Sequence, residues 1–250
     1  MSKMFDVYQN FSDLYDELVN HEDYESNLYK FLSSKIQWEN KVVGEFGIGT
    51  GRVTKNYIDK AQKLYAYDNS QHMIDKAKEN LSKWADKIEY EVLDNSKINS
   101  IENTFDVIIE GWSFGHLVVQ DDVNRNQTIQ YLISETKKRA KEIIFIETLG
   151  TNVELPNPPG EKLSQFYHAL VEAGFKEHII QTDYKFSNCE ETGNIMSDHR
   201  ERRNGARLAR KCGKPDPPLA AGCALKNLRN YSSVFVAGVC NCGFDEVFIN

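Results

Sequence analysis

The run Val42-Val43-Gly44-Glu45-Phe46-Gly47-Ile48-Gly49-Thr50-Gly51 constrains this chain more than any other stretch. A short apolar run reaches an acid, and three glycines then alternate with other residues. The apolar part reads as a buried strand, and the glycines as a turn with backbone angles that side chains disfavour. A second apolar run, Leu64-Tyr65-Ala66-Tyr67, follows about one strand–helix unit later and ends in Asp68. Strand, glycine turn, helix and strand-end carboxylate make one half of a nucleotide-binding sheet. A dinucleotide fingerprint has the spacing G-x-G-x-x-G, which would put its third glycine where Arg52 stands. The spacing here is G-x-G-x-G, and Glu45 lies two residues before the first glycine. An acid at that place repels a pyrophosphate and suits an ammonium group.

The alternation continues down the chain. Strands are expected at Lys41–Phe46, Lys63–Asp68, Ile88–Leu93, Phe105–Glu110, Glu142–Thr148 and Glu177–Phe186, with helices at Arg52–Asp59, Gln71–Trp84, Val123–Arg139 and Glu161–Ala173. Short apolar strands alternating with helical patterns predict an α/β chain, a doubly wound, mostly parallel sheet covered on both faces. Gly174 fits a helix-ending glycine, and Pro156, Pro158 and Pro159 mark a rigid loop after the fifth strand. Residues 1–38 carry Phe5, Tyr8, Phe11, Tyr15, Tyr24, Tyr29 and Phe31. They read either as a flap packed on a sheet edge or as a helical aromatic lid over a ligand cleft.

Four elements, in this order and spacing, resemble the class I S-adenosylmethionine-dependent methyltransferases. They are Glu45-Phe46-Gly47-Ile48-Gly49-Thr50-Gly51 as E-x-G-x-G-x-G, Asp68-Asn69-Ser70-Gln71-His72-Met73 as D-x-S-x-x-M, Leu93-Asp94-Asn95 at the third strand's end, and the fourth strand with its exit, Phe105 to Trp112. Ala77 and Asn80 continue the helix after the second strand as in many members. The resemblance covers about residues 1–190 and implies a three-layer Rossmann-like methyltransferase fold with S-adenosylmethionine as cofactor. It places Gly47, Gly49 and Gly51 under the methionine part and gives Glu45 the amino group. Asp68 would take both ribose hydroxyls, with Asn69 alongside. Met73 would pack on the adenine face, and Asp94, with Asn95 beside it, would take the adenine amino group. Glu110, Gly111 and Trp112 would border the methionine end and the methyl.

Plainer roles compete with these. Asp68 could cap a helix, Ser70 suits the cap of the Gln71–Trp84 helix, Asp94 could start a turn, and Met73 and Trp112 could be core. Methyl transfer from a sulfonium needs alignment above all, and a base only where the acceptor must lose a proton. His116, just past the fourth strand, is the first candidate base and Tyr15 the second; a structural or substrate-contact role competes for His116 and is the plainer one. The Asn/Asp-Pro-Pro-aromatic tetrad of amine and amide methylation is replaced by Glu110-Gly111-Trp112-Ser113.

Net charge is −7, which disfavours nucleic acid and anionic membrane as partners. The N-terminus lacks a basic-then-apolar leader, and no apolar run approaches the roughly 20 residues that span a bilayer. A soluble, cytoplasmic protein acting on a small-molecule acceptor is expected, with no metal. An RNA or protein methyltransferase, a non-catalytic S-adenosylmethionine-binding module and a dinucleotide oxidoreductase are the alternatives.

Residues 191–250 break the pattern. His199–Lys214 holds seven Lys or Arg against one acid, Glu201, and Lys214-Pro215-Asp216-Pro217-Pro218 cannot be helix interior. Cys189, Cys212, Cys223, Cys240 and Cys242 cluster there, at spacings unusual for a zinc site. Only 232–239 reads as a strand, a candidate last strand of the sheet. The tail is open to three readings: a functional insertion touching RNA, a metal site, or a segment foreign to the domain.

Overall fold

The computed structural model describes residues 12–151, 153, 155–187 and 233–240. Two helices, α1 (Ser12–Val19) and α2 (Asn27–Lys35), precede the first strand. The chain then runs β1 (Val42–Phe46), β2 (Lys63–Asp68), α3 (Gln71–Asn80), β3 (Ile88–Val92), β4 (Phe105–Gly111), α4 (Phe114–Gln120), α5 (Arg125–Arg139), β5 (Ala140–Thr148), α6 (Glu161–Glu172), β6 (Lys176–Gln181) and β7 (Ser233–Cys240).

Among the described residues the strands form one seven-stranded sheet in the order β3-β2-β1-β4-β5-β7-β6. β1 to β5 are parallel, and β7 is antiparallel to both β5 and β6. Alternation along each strand feeds two cores. Val107, Ile109, Ile144, Ile146, Val234 and Val236 pack toward α2 and α3 on one face. Ile108, Ile143, Phe145, Phe235 and Ala237 pack toward α4, α5 and α6 on the other. A sheet buried on both faces is the expected three-layer, doubly wound arrangement. Its strand order reverses between β1 and β4, and ligands of such sheets bind in the crevice outside the strand ends there.

The structure departs from the sequence reading in a few places. The helix expected at Arg52–Asp59 is a run of turns around one short 3-10 segment, Thr54–Asn56. Val53 and Thr54 are β-branched and poor helix formers. The hydroxyls of Thr54 and Tyr57 also both bond the buried Glu45 carboxyl, which pulls this segment onto the sheet. No helix dipole therefore points at the turn. α4, missing from the sequence reading, has weak intrinsic propensity in Phe-Gly-His-Leu-Val-Val-Gln and is held by tertiary bonds to two buried carboxyls. β6 ends at Gln181 rather than Phe186; the chain then makes an antiparallel bridge between Tyr184 and Glu22.

β7 spans Ser233–Cys240, and Val234, Phe235, Val236 and Ala237 are each at most 1% exposed. Reading the whole tail as foreign to the domain fails at these residues, because they sit between β5 and β6 and complete both cores. The basic run and Cys189, Cys212, Cys223 and Cys242 lie outside the described residues, as do Phe5, Tyr8 and Phe11 of the aromatic segment. Among the described residues no helix is long and apolar enough to cross a membrane.

Candidate active site

Four carboxylates end four adjacent strands: Glu45 on β1, Asp68 on β2, Glu110 on β4 and Glu147 on β5. Each closes an apolar run, so the sheet that buries the run carries its acid to the crevice edge.

Glu45 is fully buried. Its Oε2 accepts from Thr54 Oγ1 at 2.7 Å and from the Tyr57 hydroxyl. Its Oε1 is buried with no hydrogen-bond partner among the described residues, as are Thr50 Oγ1 and Tyr90 Oη. Burial pushes the carboxyl up to about 7 against the pull of the two hydroxyls, and the nearby Asp68 adds to the rise. A buried carboxyl with one open oxygen is complementary to a cation.

The glycine turn is pinned to β2. Gly47 N–H and Ile48 N–H both donate to Tyr67 O, at 2.8 and 3.1 Å. Its glycines serve different ends. At Gly47, φ is +74° and a Cβ would lie 2.3 Å from Ser113 Cβ, so this glycine lets the β4 exit close against the turn. At Gly49, φ is +55° and a Cβ would meet only Tyr15 Cε1, at 3.9 Å, which leaves this backbone open to a ligand. Gly51 takes φ +87°.

Asp68 is part of the same construction. Its Oδ2 accepts from Gly49 N–H and its Oδ1 from Ser70 N–H, both at 2.9 Å. Burial raises its pKa while these backbone donors oppose the rise. Ser70, and not Asp68, is the N-cap of α3, accepting from Met73 N–H at 3.4 Å. Asn69 is exposed, and Met73 is 1% exposed in the first turn of α3. Asp94 caps the 3-10 segment Asn95–Ser100 through Ser96 N–H at 2.8 Å. Asn95 Nδ2 donates to Ser113 Oγ at 2.6 Å, which ties the β3 exit to the β4 exit.

Glu110 and Glu147 sit side by side without exposure to solvent beyond 3%. Glu110 Oε1 accepts from Ser113 N–H and Phe114 N–H at 2.5 and 2.8 Å, and Glu147 Oε1 from Gly115 N–H at 2.7 Å. Together they hold the first turn of α4, which carries the half-buried His116. Burial and mutual repulsion push Glu110 well above the usual carboxylate range, and burial pushes Glu147 up to about 7. Gly115 is required here, since a Cβ would lie 2.7 Å from Glu147 Oε1.

Residues of α1 and the loop after it contact α3 and the turn. Asn80 Nδ2 donates to Asp16 Oδ1 and to Thr50 O, both at 3.0 Å, and Lys76 pairs with Asp13 at 2.7 Å. Arg52 pairs with Glu22 and lies 3.9 Å over the Trp112 ring. Glu22 also accepts from Thr182 Oγ1 at 3.0 Å and Tyr184 OH at 2.9 Å. Trp112 follows Gly111 at the β4 exit with φ +52°, unusual for a bulky residue, and its N–H donates to Ile146 O at 2.8 Å.

The structure thus gathers Asp68 and Tyr15 at Gly49 and sets the β4 exit, Gly111 to Ser113, against Gly47. Sequence reasoning did not select Glu147, Arg52, Glu22, Thr182 or Tyr184. Glu147 had a legible signal, an acid ending the apolar run Ile143-Ile144-Phe145-Ile146, as at Glu45 and Glu110.

The family described as a methyltransferase domain matches residues 43–133, from β1 through most of α5. This match, with the relatives below, supports a class I S-adenosylmethionine-dependent methyltransferase. An uncharacterized methyltransferase of Anoxybacillus flavithermus is 27% identical to this chain over 157 residues, which are 61% of this chain and 70% of that one. The same fold occurs in a magnesium protoporphyrin IX methyltransferase of Synechocystis with bound SAH, at TM-score 0.51 and 12% identity over 95% of this chain and 99% of that one. It also occurs in a precorrin-6y C5,15-methyltransferase of Geobacter metallireducens, at TM-score 0.51 and 12% identity over 85% and 88%.

Proposed function

We propose that this methyltransferase takes S-adenosylmethionine in the crevice between β1 and β2 and methylates a small-molecule acceptor. The single observation that carries the cofactor reading is Glu45 Oε1, a buried oxygen with no partner among the described residues, beside a glycine turn whose backbone is open at Gly49. The cofactor's ammonium suits that oxygen, directly or through one water. When bound, S-adenosylmethionine supplies an electrophilic methyl on a sulfonium.

The chain's own residues then bind and align. Asp68 has lone pairs left for ribose hydroxyls after accepting from Gly49 and Ser70. Asn69 would border the ribose, Met73 the adenine face, and Asp94 and Asn95 the adenine edge. Gly47 and Gly51 shape the turn around Gly49. Glu110 fixes the β4 exit, so that Gly111 and Trp112 border the methyl. Tyr15 and His116 are the groups we assign to receive an acceptor proton where one must leave. We assign residues 1–190 to the methyltransferase domain, with 1–38 as its lid, and 191–250 to a tail that contributes β7. The contacts of α1 with α3 and the acidic chain support a small acceptor in a cytoplasmic protein over RNA or protein.

The test is methyl transfer from methyl-labelled S-adenosylmethionine into a metabolite extract, with RNA and protein fractions alongside. Label in a low-molecular-weight product supports the reading. Label confined to RNA or protein moves the acceptor to those classes, and absence of transfer with retained cofactor binding points to a sensor.

A further inference from the structure

The cofactor reading above gives the ammonium a carboxylate, Glu45, but leaves the methionine carboxylate without a cation. We propose that Arg52 is that cation: stacked on Trp112 and held by Glu22 through one nitrogen, it grips the cofactor carboxylate with its remaining N–H groups. The inference rests on the cofactor reading and adds a residue to it.

Arg52 leaves the turn that Glu45 enters, so the two charges flank the same glycines. Its side chain is 20% exposed. Nη1 bonds Glu22 Oε2; Nε and Nη2 bond nothing among the described residues, and neither is sealed from solvent without a partner. A guanidinium offers five N–H groups in a planar fork that matches a carboxylate edge to edge. Stacking 3.9 Å over the Trp112 ring fixes the plane of that fork. Trp112 reaches this place at the cost of a left-handed backbone, and strain of that kind gathers at ligand sites.

Glu22 does not use up the positive charge. Its carboxylate is shared with Thr182 Oγ1 and Tyr184 OH, and these two neutral donors carry part of its demand. Glu22 thus orients Arg52 and joins the 12–35 segment to the turn. The arrangement also explains why a dinucleotide's third glycine is replaced by a long cation here.

The experiment is calorimetric titration of the full chain with S-adenosylhomocysteine and with its decarboxylated analogue, which keeps the amine and lacks the carboxylate. Wild type is expected to bind the analogue roughly ten- to hundredfold more weakly, the worth of a charge-assisted fork. Arg52→Gln is expected to weaken S-adenosylhomocysteine by a similar factor and to leave the analogue unchanged. Glu22→Gln is expected to preserve the preference for the carboxylate, which separates loss of the cation from loss of the Glu22 pair. Equal weakening of both ligands by Arg52→Gln, or unchanged affinity for S-adenosylhomocysteine, overturns the proposal. So does equal affinity of wild type for the two ligands, a result that needs no variant to fold. Failure of wild type to bind S-adenosylhomocysteine at all sinks the cofactor reading itself.

Discussion

Replacing Glu147 by glutamine removes one of two carboxyls buried against each other beneath α4. In the unfolded chain each titrates near the ordinary 4.5, whereas in the folded protein Glu147 holds its proton up to about 7 and burial beside Glu147 pushes Glu110 well above the usual carboxylate range. The folded state therefore binds more protons than the unfolded state across that interval. The stabilising contribution is fully present below about 4.5 and is lost as pH rises through about 7. At about 1.4 kcal/mol for each tenfold change in proton activity, the Glu147 part amounts to about 3 kcal/mol. Glu147→Gln deletes this titration, keeps an oxygen for Gly115 N–H, and gives Glu110 an amide donor in place of a second acid. Urea unfolding at pH 5, 6, 7 and 8 measures the effect. The wild-type free energy should fall from pH 5 to 7, and the variant should gain about 2 kcal/mol on wild type over the same range. Parallel curves, or a wild-type stability that rises through this window, would refute the reasoning.

Three further outcomes follow from the same geometry. Gly47→Ala forces a methyl to 2.3 Å from Ser113 Cβ at φ +74°, and should cost about 2–4 kcal/mol in chemical unfolding. Asp68→Ala should weaken S-adenosylhomocysteine by roughly 1–3 kcal/mol in calorimetry, and unchanged affinity would remove the ribose role. Asn80→Ala unties Asp16 and Thr50, and should speed amide exchange across α1 while leaving β1 and β4 protected; equal exchange in α1 would show that Asn80 does not hold this helix.

What could be read in the sequence is what is local in it. The Glu45-to-Gly51 turn and Asp68 stand in short, ordered runs, and the alternation of apolar strands with helices gave the sheet within a residue or two at most ends. Contacts made by bringing distant segments together were not legible. Glu22 meets Thr182 and Tyr184 only because β6 ends beside the N-terminal segment, and Glu147 meets Glu110 only because β5 lies next to β4. The Arg52–Asp59 helix is expected from the alternation of strands and helices, and its β-branched start together with the buried Glu45, which draws in Thr54 and Tyr57, keeps the segment from forming one. α4 shows the reverse: two strand-end carboxyls stabilise a helix that its own residues barely favour.

A structure of the protein with S-adenosylhomocysteine tests the central claim most directly. The account predicts ribose hydroxyls on the Asp68 carboxylate, the methionine part over Gly49, and the amine within one water of Glu45 Oε1. A nucleoside bound away from the ends of β1 and β2, or a pyrophosphate lying across Gly49 in a complex with NAD, would contradict it.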